Sequence, residues 1–217
     1  MDGPALYPAV LDLRAARVLV LGAGRVAAQK LKGLPKGLAS VKVFAPKARP
    51  AVQAWVKRRR EASWLKRPLR ATDLKACRVL FCCSDDPAAN ARAAAWGRAQ
   101  GAWVCQAAEP SQGDLRVPST FKAAGLSLTL STGGASPALA KALRLRLQKQ
   151  LNASDLAWLL AQLGRRRHAL KADPKAKAAL LKRLLQGRGL DLAMAPRRAD
   201  RRRALLALFK ARGGGQG

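Results

Sequence analysis

Residues 18–30, "VLVLGAGRVAAQK", join four consecutive apolar residues to a run of helix formers through Gly22 and Gly24. So short an apolar run, closed by glycines, suits a strand buried on both faces, and such strands occur where helices cover a parallel sheet. In the pattern G-x-G-x-x-A the first glycine permits a tight turn and the second lets backbone approach a pyrophosphate. The third position, Ala27, allows the helix to pack closely on the strand. The helix N-terminus then faces phosphate oxygens with its free amides. The order of elements downstream agrees. "RVLVL" (17–21) reads as a strand, 25–34 as its helix, and "VKVFA" (41–45) as a second strand stopped by Pro46. "AVQAWVKRRREASWL" (51–65) is helix-like, and "CRVLFCC" (77–83) is a third strand ending at "SDDP". "AANARAAAWGRAQ" (88–100) reads as a helix and "AWVCQAA" (102–108) as a fourth strand. Strands alternating with helices predict an α/β, Rossmann-like parallel sheet over residues 1–113.

The pattern then changes. "LSLTLST" (126–132) alternates residue by residue, as a strand with one wet face does. In "GGASPALAKALRLRLQKQL", Ser136 suits the N-cap and Pro137 the first helical position, while Leu139, Leu143, Leu147 and Leu151 form a stripe at steps of four. Lys141, Arg144, Arg146 and Lys149 flank the stripe. A leucine stripe on so basic a helix calls for a partner, so residues 114–152 read as the dimerisation and substrate region of a homodimer. From 153 to 217 the chain reads as a helical domain, broken near "KADP" and "QGRGLDLAMAP", with a disordered "GGGQG" end. No internal repeat is evident.

At 217 residues there is room for one large domain or two small ones, each with its own core. No apolar run approaches the roughly 18 residues of a membrane span. "MDGPALYP" places an acid and a proline where a secretion signal has basic residues and an apolar core. A soluble, cytoplasmic protein is expected. The cysteines, at 77, 82, 83 and 105, lack paired C-x-x-C spacing, and Cys82 and Cys83 point to opposite faces of one strand. Buried, reduced thiols are expected, and no metal-ligand set is read from the sequence.

The charge stands apart. Lys and Arg number 42 against 12 Asp and Glu, a formal net charge of +30. Such a surface attracts polyanions, and three partners remain open: nucleic acid, a small molecule with many carboxylates, or water alone around basic helix faces. Dinucleotide binding also lacks one expected element. The acid that holds a ribose hydroxyl belongs roughly 20 residues beyond the glycines, where Ala45, Pro46 and Lys47 offer no carboxylate. Either backbone groups hold the ribose, or Lys47 favours an extra phosphate and hence NADP.

Several motifs, in order, resemble those of the precorrin-2 dehydrogenase and sirohydrochlorin ferrochelatase family of siroheme synthesis. "YPAVLDLRAARVLVLGAGRVAAQK" is similar to the family's opening, a P-x-x-L-x-L segment leading into a glycine loop that ends V-A-x-x-K. "VKVFAP" resembles its second strand, which also usually lacks the acid. "LFCCSDDPAAN" is similar to its A-T-D-D-x-x-x-N segment, and "LTLSTGGASPALAKALR" to its S-T-G-G-x-S-P-x-L-A signature, the most specific of the four. The resemblance covers about residues 5–150.

It implies NAD as cofactor, with Gly22, Gly24, Arg25 and Val26 against the pyrophosphate and Pro46 and Lys47 near the adenosine ribose. Ser84 and Asp85 would face the cofactor; read by themselves, they also suit a strand-ending turn and helix cap. The family's catalytic Asp falls on Glu109 in "CQAAEPSQGD", one methylene longer and one residue nearer Pro118, with Asp114 as fallback. Oxidising a reduced macrocycle releases a hydride to nicotinamide and a proton to a general base, and inserting ferrous iron displaces two pyrrole protons. One carboxylate serves either step. "STGGAS" unites hydroxyls, mobile backbone and a helix N-terminus, so Thr132, Gly133 and Ser136 are the implied contacts of a tetrapyrrole with eight carboxylates. His168, the only histidine, sits among arginines on an expected solvated helix face. The implied activity is NAD-dependent oxidation of precorrin-2 to sirohydrochlorin, and the sequence leaves iron insertion open. Two rivals stand beside it: a nucleic-acid-binding redox sensor gripping phosphates with "KRRRE", "GRRRH" and "PRRADRRR", and an inactive relative that carries a tetrapyrrole.

Overall fold

The computed structural model describes residues 5–123 and 125–150, with 160, 161, 164, 165 and 182 beyond them. The chain forms two compact units, 1–117 and 118–217.

The first unit holds five parallel strands: β1 (Arg17–Leu21), β2 (Ser40–Phe44), β3 (Ala62–Leu65), β4 (Cys77–Cys82) and β5 (Trp103–Gln106). Their order across the sheet is β3-β2-β1-β4-β5. The connections are α1 (Arg25–Gly33), α2 (Pro50–Lys57) and α3 (Pro87–Ala99). Because side chains alternate across a strand, "VLVL" feeds two cores at once. Val18 and Val20 pack with Ala27, Leu31 and Val52 of α1 and α2. Leu19 and Leu21 pack with Ala93 and Ala94 of α3 on the other face. Burial on both faces is why β1 and β4 are continuous apolar runs in sequence. Cys82 and Cys83 fall on opposite faces, as the adjacency requires.

The sheet has one strand more than expected. Residues 51–65, read as one helix, split into α2 and β3. The cause is tertiary: Arg59 donates to the carbonyls of Pro35 at 2.7 Å and Leu34 at 3.2 Å and stacks 4.5 Å above Trp55. That anchors a turn where helix propensity alone would have continued. β3 then pairs along β2, Val41 opposite Ala62. As a short edge strand it is only half covered, so it lacks the apolar run that marks β1 and β4.

In the second unit β6 (Ser119–Ala123) and β7 (Leu126–Leu130) form an antiparallel hairpin, followed by α4 (Pro137–Gln150). β7 was legible from its alternation; β6 was not. The described leucines of the stripe differ: Leu139 and Leu143 are exposed and Leu147 is half-buried. Ala140 is buried and Arg144 Nε donates to Ser119 Oγ at 3.0 Å, so that side of α4 meets the hairpin, while Leu139 and Leu143 are 51% and 41% exposed. Leu151, His168 and nearly all of the helical domain and tail expected over 153–217 lie outside the described residues. Among the described residues no helix is long and apolar enough to cross a membrane.

Candidate functional site

The strand order reverses between β1 and β4, and in open α/β sheets ligands bind outside the carboxyl ends of the strands at such a point. The glycine loop stands there, tied on three sides. Gly22 N–H donates to Phe44 O at 2.9 Å at the end of β2, Cys83 N–H donates to Leu21 O at 2.8 Å, and Arg49 N–H, capping α2, donates to Ala23 O at 3.1 Å. The two glycines differ in what they need. Gly22 has φ +94°, and a Cβ there would stand 2.6 Å from Cys83 O and 2.7 Å from Ser84 N. Gly24 caps α1 with φ −82°, and a Cβ there would meet nothing within 4 Å. Gly22 is glycine so that β1 and β4 can close on each other; Gly24 opens onto empty space in front of α1. Ala27 is fully buried against the sheet, as helix-on-strand contact requires. Arg25 and Val26, in the first turn of α1, are exposed beside this space, Val26 by 39%. A pyrophosphate fits this cradle: open room above Gly24, amides of the first turn, and a cation in Arg25.

At the end of β2, Ala45 is fixed from β3, its N–H donating to Leu65 O at 3.2 Å and its carbonyl accepting from Trp64 Nε1 at 2.9 Å. Pro46 and Lys47 follow, exposed on the same edge as the glycine loop. Beyond β4, Ser84 and Asp85 also lie on this edge, and the next residue, Asp86, is the N-cap of α3, accepting from Ala89 N–H at 3.0 Å. The residue that shapes the turn is Asn90, which sequence reasoning passed over. It is buried, its Oδ1 accepts from Ser84 N–H at 3.1 Å, and its Nδ2 donates to Ser84 O at 2.8 Å. Both backbone groups of Ser84 are thereby clamped to α3. The closing Asn of "SDDPAAN" was the available signal.

Glu109 follows β5, exposed at the carboxyl edge just before a 3-10 turn (Pro110–Gln112). Its carboxylate accepts from Gln112 Nε2. Asp114 is elsewhere. Asp114 N–H and Leu115 N–H donate to Val104 O at 2.9 and 3.0 Å, so the chain has run back beside the first half of β5. There Arg98, in the last turn of α3, donates to both Asp114 oxygens at 3.1 Å. The structure thus brings Glu109 to the edge that carries the glycine loop, Ser84 and Lys47, and leaves Asp114 in an ion pair behind it.

In the second unit, Ser136 Oγ accepts from Leu139 N–H at 3.2 Å and so caps α4, while Thr132 Oγ1 accepts from Ser136 N–H at 3.0 Å. Gly133 and Gly134 have φ +65° and +103°, and a Cβ on Gly133 would meet nothing within 4 Å. Thr132, Gly133 and Ser136 therefore form one tight loop opening at a helix N-terminus.

The four cysteines are free. Burial pushes the thiols of Cys82 and Cys83 up to about 12 and that of Cys77 up to about 11, and raises Cys105 as well. All are thus neutral at physiological pH, poor nucleophiles and poor metal ligands.

Residues 9–119 match the family model described as "Putative NAD(P)-binding". The siroheme synthase of Methylococcus capsulatus is 33% identical over 201 residues, which are 92% of this chain and 42% of that protein. The siroheme synthase of Nitrosococcus oceani is 33% identical over 141 residues, 65% of this chain and 30% of that protein. The chain thus spans less than half the length of these relatives. Among solved structures, one titled "SirC, precorrin-2 dehydrogenase" matches with a TM-score of 0.73 and 23% identity, over 95% of this chain and 100% of that one. At that identity the likeness establishes a shared fold.

Proposed function

The chain belongs to the NAD(P)-binding family, and from that premise we propose that it oxidises precorrin-2 to sirohydrochlorin in siroheme biosynthesis, with NAD or NADP as hydride acceptor. The observation that carries this reading is the pairing of an open phosphate cradle at Gly24 with a carboxylate, Glu109, on the same sheet edge. The names of the siroheme synthase relatives support the choice of substrate.

Gly22 and Gly24 shape the cradle, the first-turn amides at Arg25 and Val26 hold the pyrophosphate, and Pro46 and Lys47 flank the adenosine ribose. Ser84 and Asp85, set by Asn90, line the cofactor side of the β4 end. When bound, the nicotinamide accepts the hydride. Glu109 takes the proton that leaves the macrocycle; its strand is two spacings from β1, about 10 Å. Thr132, Gly133 and Ser136 hold substrate carboxylates at the start of α4, and the formal charge of +30 draws the polyanion in. The exposed Leu139 and Leu143 stripe supports a homodimer through α4. Four thiols without a disulfide suit the cytoplasm.

The test is anaerobic incubation of the chain with precorrin-2 and NAD or NADP. The absorption spectrum of sirohydrochlorin is expected to grow in, and adding ferrous iron reports whether metal insertion follows. A folded chain that binds dinucleotide yet leaves precorrin-2 unchanged refutes the reading. Sedimentation at moderate salt is expected to give twice the 23.2 kDa chain mass, and a monomer at every micromolar concentration refutes the dimer.

A further inference from the structure

We infer that the groove between α1 and α2 docks an acidic amphipathic helix of a partner protein. The inference draws neither on the cofactor nor on the substrate proposed above.

Both walls of the groove follow one spacing. Positions 25, 28, 29 and 32 line it from α1, and 51, 54, 55 and 58 from α2 and its cap, each set falling at i, i+3, i+4 and i+7 on a single helix face. The middle of the groove is small and apolar: the methyl groups of Ala28, Ala51 and Ala54 lie beside Trp55, and Ala51 and Ala54 are exposed. A helix of eight or nine residues is about 12–14 Å long, so the groove offers room for two or three turns of a docked helix.

The end away from the glycine loop is basic. Lys32 stands in the last turn of α1 and Arg58 caps α2, with Lys36 and Arg60 beyond them, all four exposed. Glu61 is the acid among the lining residues, and it is already taken: Arg59 pairs with it at 3.4 Å. Among the described residues no acid pairs with the other four cations. The sequence between Asp12 and Glu61 contains no Asp or Glu, so neither helix answers the charge itself. An apolar floor beside unanswered cations is complementary to leucine-type side chains and carboxylates set on one helix, the helix-in-groove mode of recognition. A nucleic acid lacks its platform here. Trp55 is the aromatic side chain of the groove, and the Arg59 guanidinium covers its ring at 4.5 Å, where a base would have to stack. Arg25 and Arg49, at the opposite end, border the glycine loop and are left to the cradle.

The test is fluorescence anisotropy of the full chain at about 0.15 M salt. Three probes of equal charge are compared: the peptide EELLEELLEELLEE, its counterpart EEQQEEQQEEQQEE without an apolar face, and a nine-nucleotide oligo-dT. The leucine peptide is expected to bind at least about tenfold tighter than the glutamine peptide. Lys32→Glu combined with Arg58→Glu should weaken it on the order of tenfold or more, and Ala54→Gln, which fills the floor without changing charge, by about threefold or more. Arg92→Glu combined with Lys75→Glu, an equal change of charge outside the groove, should cost less than about twofold. All five substituted side chains are exposed, and circular dichroism checks that each variant folds. Should the groove double variant fail to fold, Ala54→Gln decides alone. Equal binding of the two peptides, tighter binding of oligo-dT than of the leucine peptide, full affinity in Ala54→Gln, or an equal loss in the Arg92 and Lys75 variant overturns the inference.

Discussion

Gly22 and Gly24 look alike in a G-x-G-x-x-A motif, yet adding one methyl group to each should have opposite consequences. In Gly22→Ala the new Cβ stands 2.6 Å from Cys83 O, 2.7 Å from Cys83 C and 2.7 Å from Ser84 N. These are backbone atoms at the end of a buried strand, so no side chain can swing aside. The positive φ of +94° costs a further 1–2 kcal/mol or so for an L-residue. Overpacking against a rigid wall costs about 1–3 kcal/mol. The sum, roughly 2–5 kcal/mol, is a large part of the 5–15 kcal/mol or so that holds a domain together. Urea unfolding followed by tryptophan fluorescence should show the midpoint falling sharply, and a thermal melt should drop by about 2–4 °C per kcal/mol. Gly24→Ala has φ −82° and open space around its Cβ, so its midpoint should match wild type within about 0.5 kcal/mol. Its methyl group instead enters the room left for a pyrophosphate, and dinucleotide affinity should fall by tenfold or more. Gly24→Asp, which adds repulsion, should abolish binding in a folded protein. If Gly22→Ala unfolds at the wild-type midpoint, or Gly24→Asp binds dinucleotide as the wild type does, the assignment of closure to one glycine and phosphate to the other is wrong.

Three further outcomes are expected. Glu109→Ala should slow precorrin-2 oxidation by roughly a hundredfold to ten-thousandfold, the usual contribution of a general base, with dinucleotide affinity unchanged by calorimetry. Asp114→Ala should leave the rate near wild type, since Arg98 holds that carboxylate behind the edge, and the reverse pattern would transfer the role to Asp114. Asn90→Ala removes both bonds that clamp Ser84 and leaves a buried gap, so urea unfolding should show a loss of about 1–3 kcal/mol; a wild-type midpoint would mean that the turn holds itself. The cysteines give stability a pH dependence of definite sign. Their folded values, about 12 for Cys82 and Cys83 and about 11 for Cys77, lie above the ordinary 9.0, so the unfolded chain releases protons first as pH rises. The contribution is whole below pH 9 and is lost between pH 9 and 12, which urea midpoints at pH 8 and 10.5 would reveal as a fall; a rise would contradict thiol burial.

Much of the architecture was legible because strong local signals coincide with tertiary roles. β1 and β4 are buried on both faces, so their apolar runs are unbroken; α3 and α4 begin with prolines behind a capping Asp86 and Ser136. β3 and β6 were not legible. Both are short; β6 offers one large apolar residue, Phe121, while β3 is half covered and follows a helix whose end is decided by Arg59 reaching the carbonyls of Pro35 and Leu34. The leucines of α4 formed a correct helical stripe, but periodicity cannot say which side of a helix meets its own hairpin; there Ala140 and Arg144 do so, and Leu139 and Leu143 are left outside. By itself, then, the sequence determined the parallel α/β class, the glycine turn and the absence of an acid beyond β2, because each depends on residue type at a fixed local spacing. Only the tertiary structure decided that β1 and β4 close on each other at Gly22, and that Arg49 stands against the glycine loop while Asp114 is turned away. These are contacts between segments far apart in the chain, and their energies depend on distances that no local pattern encodes.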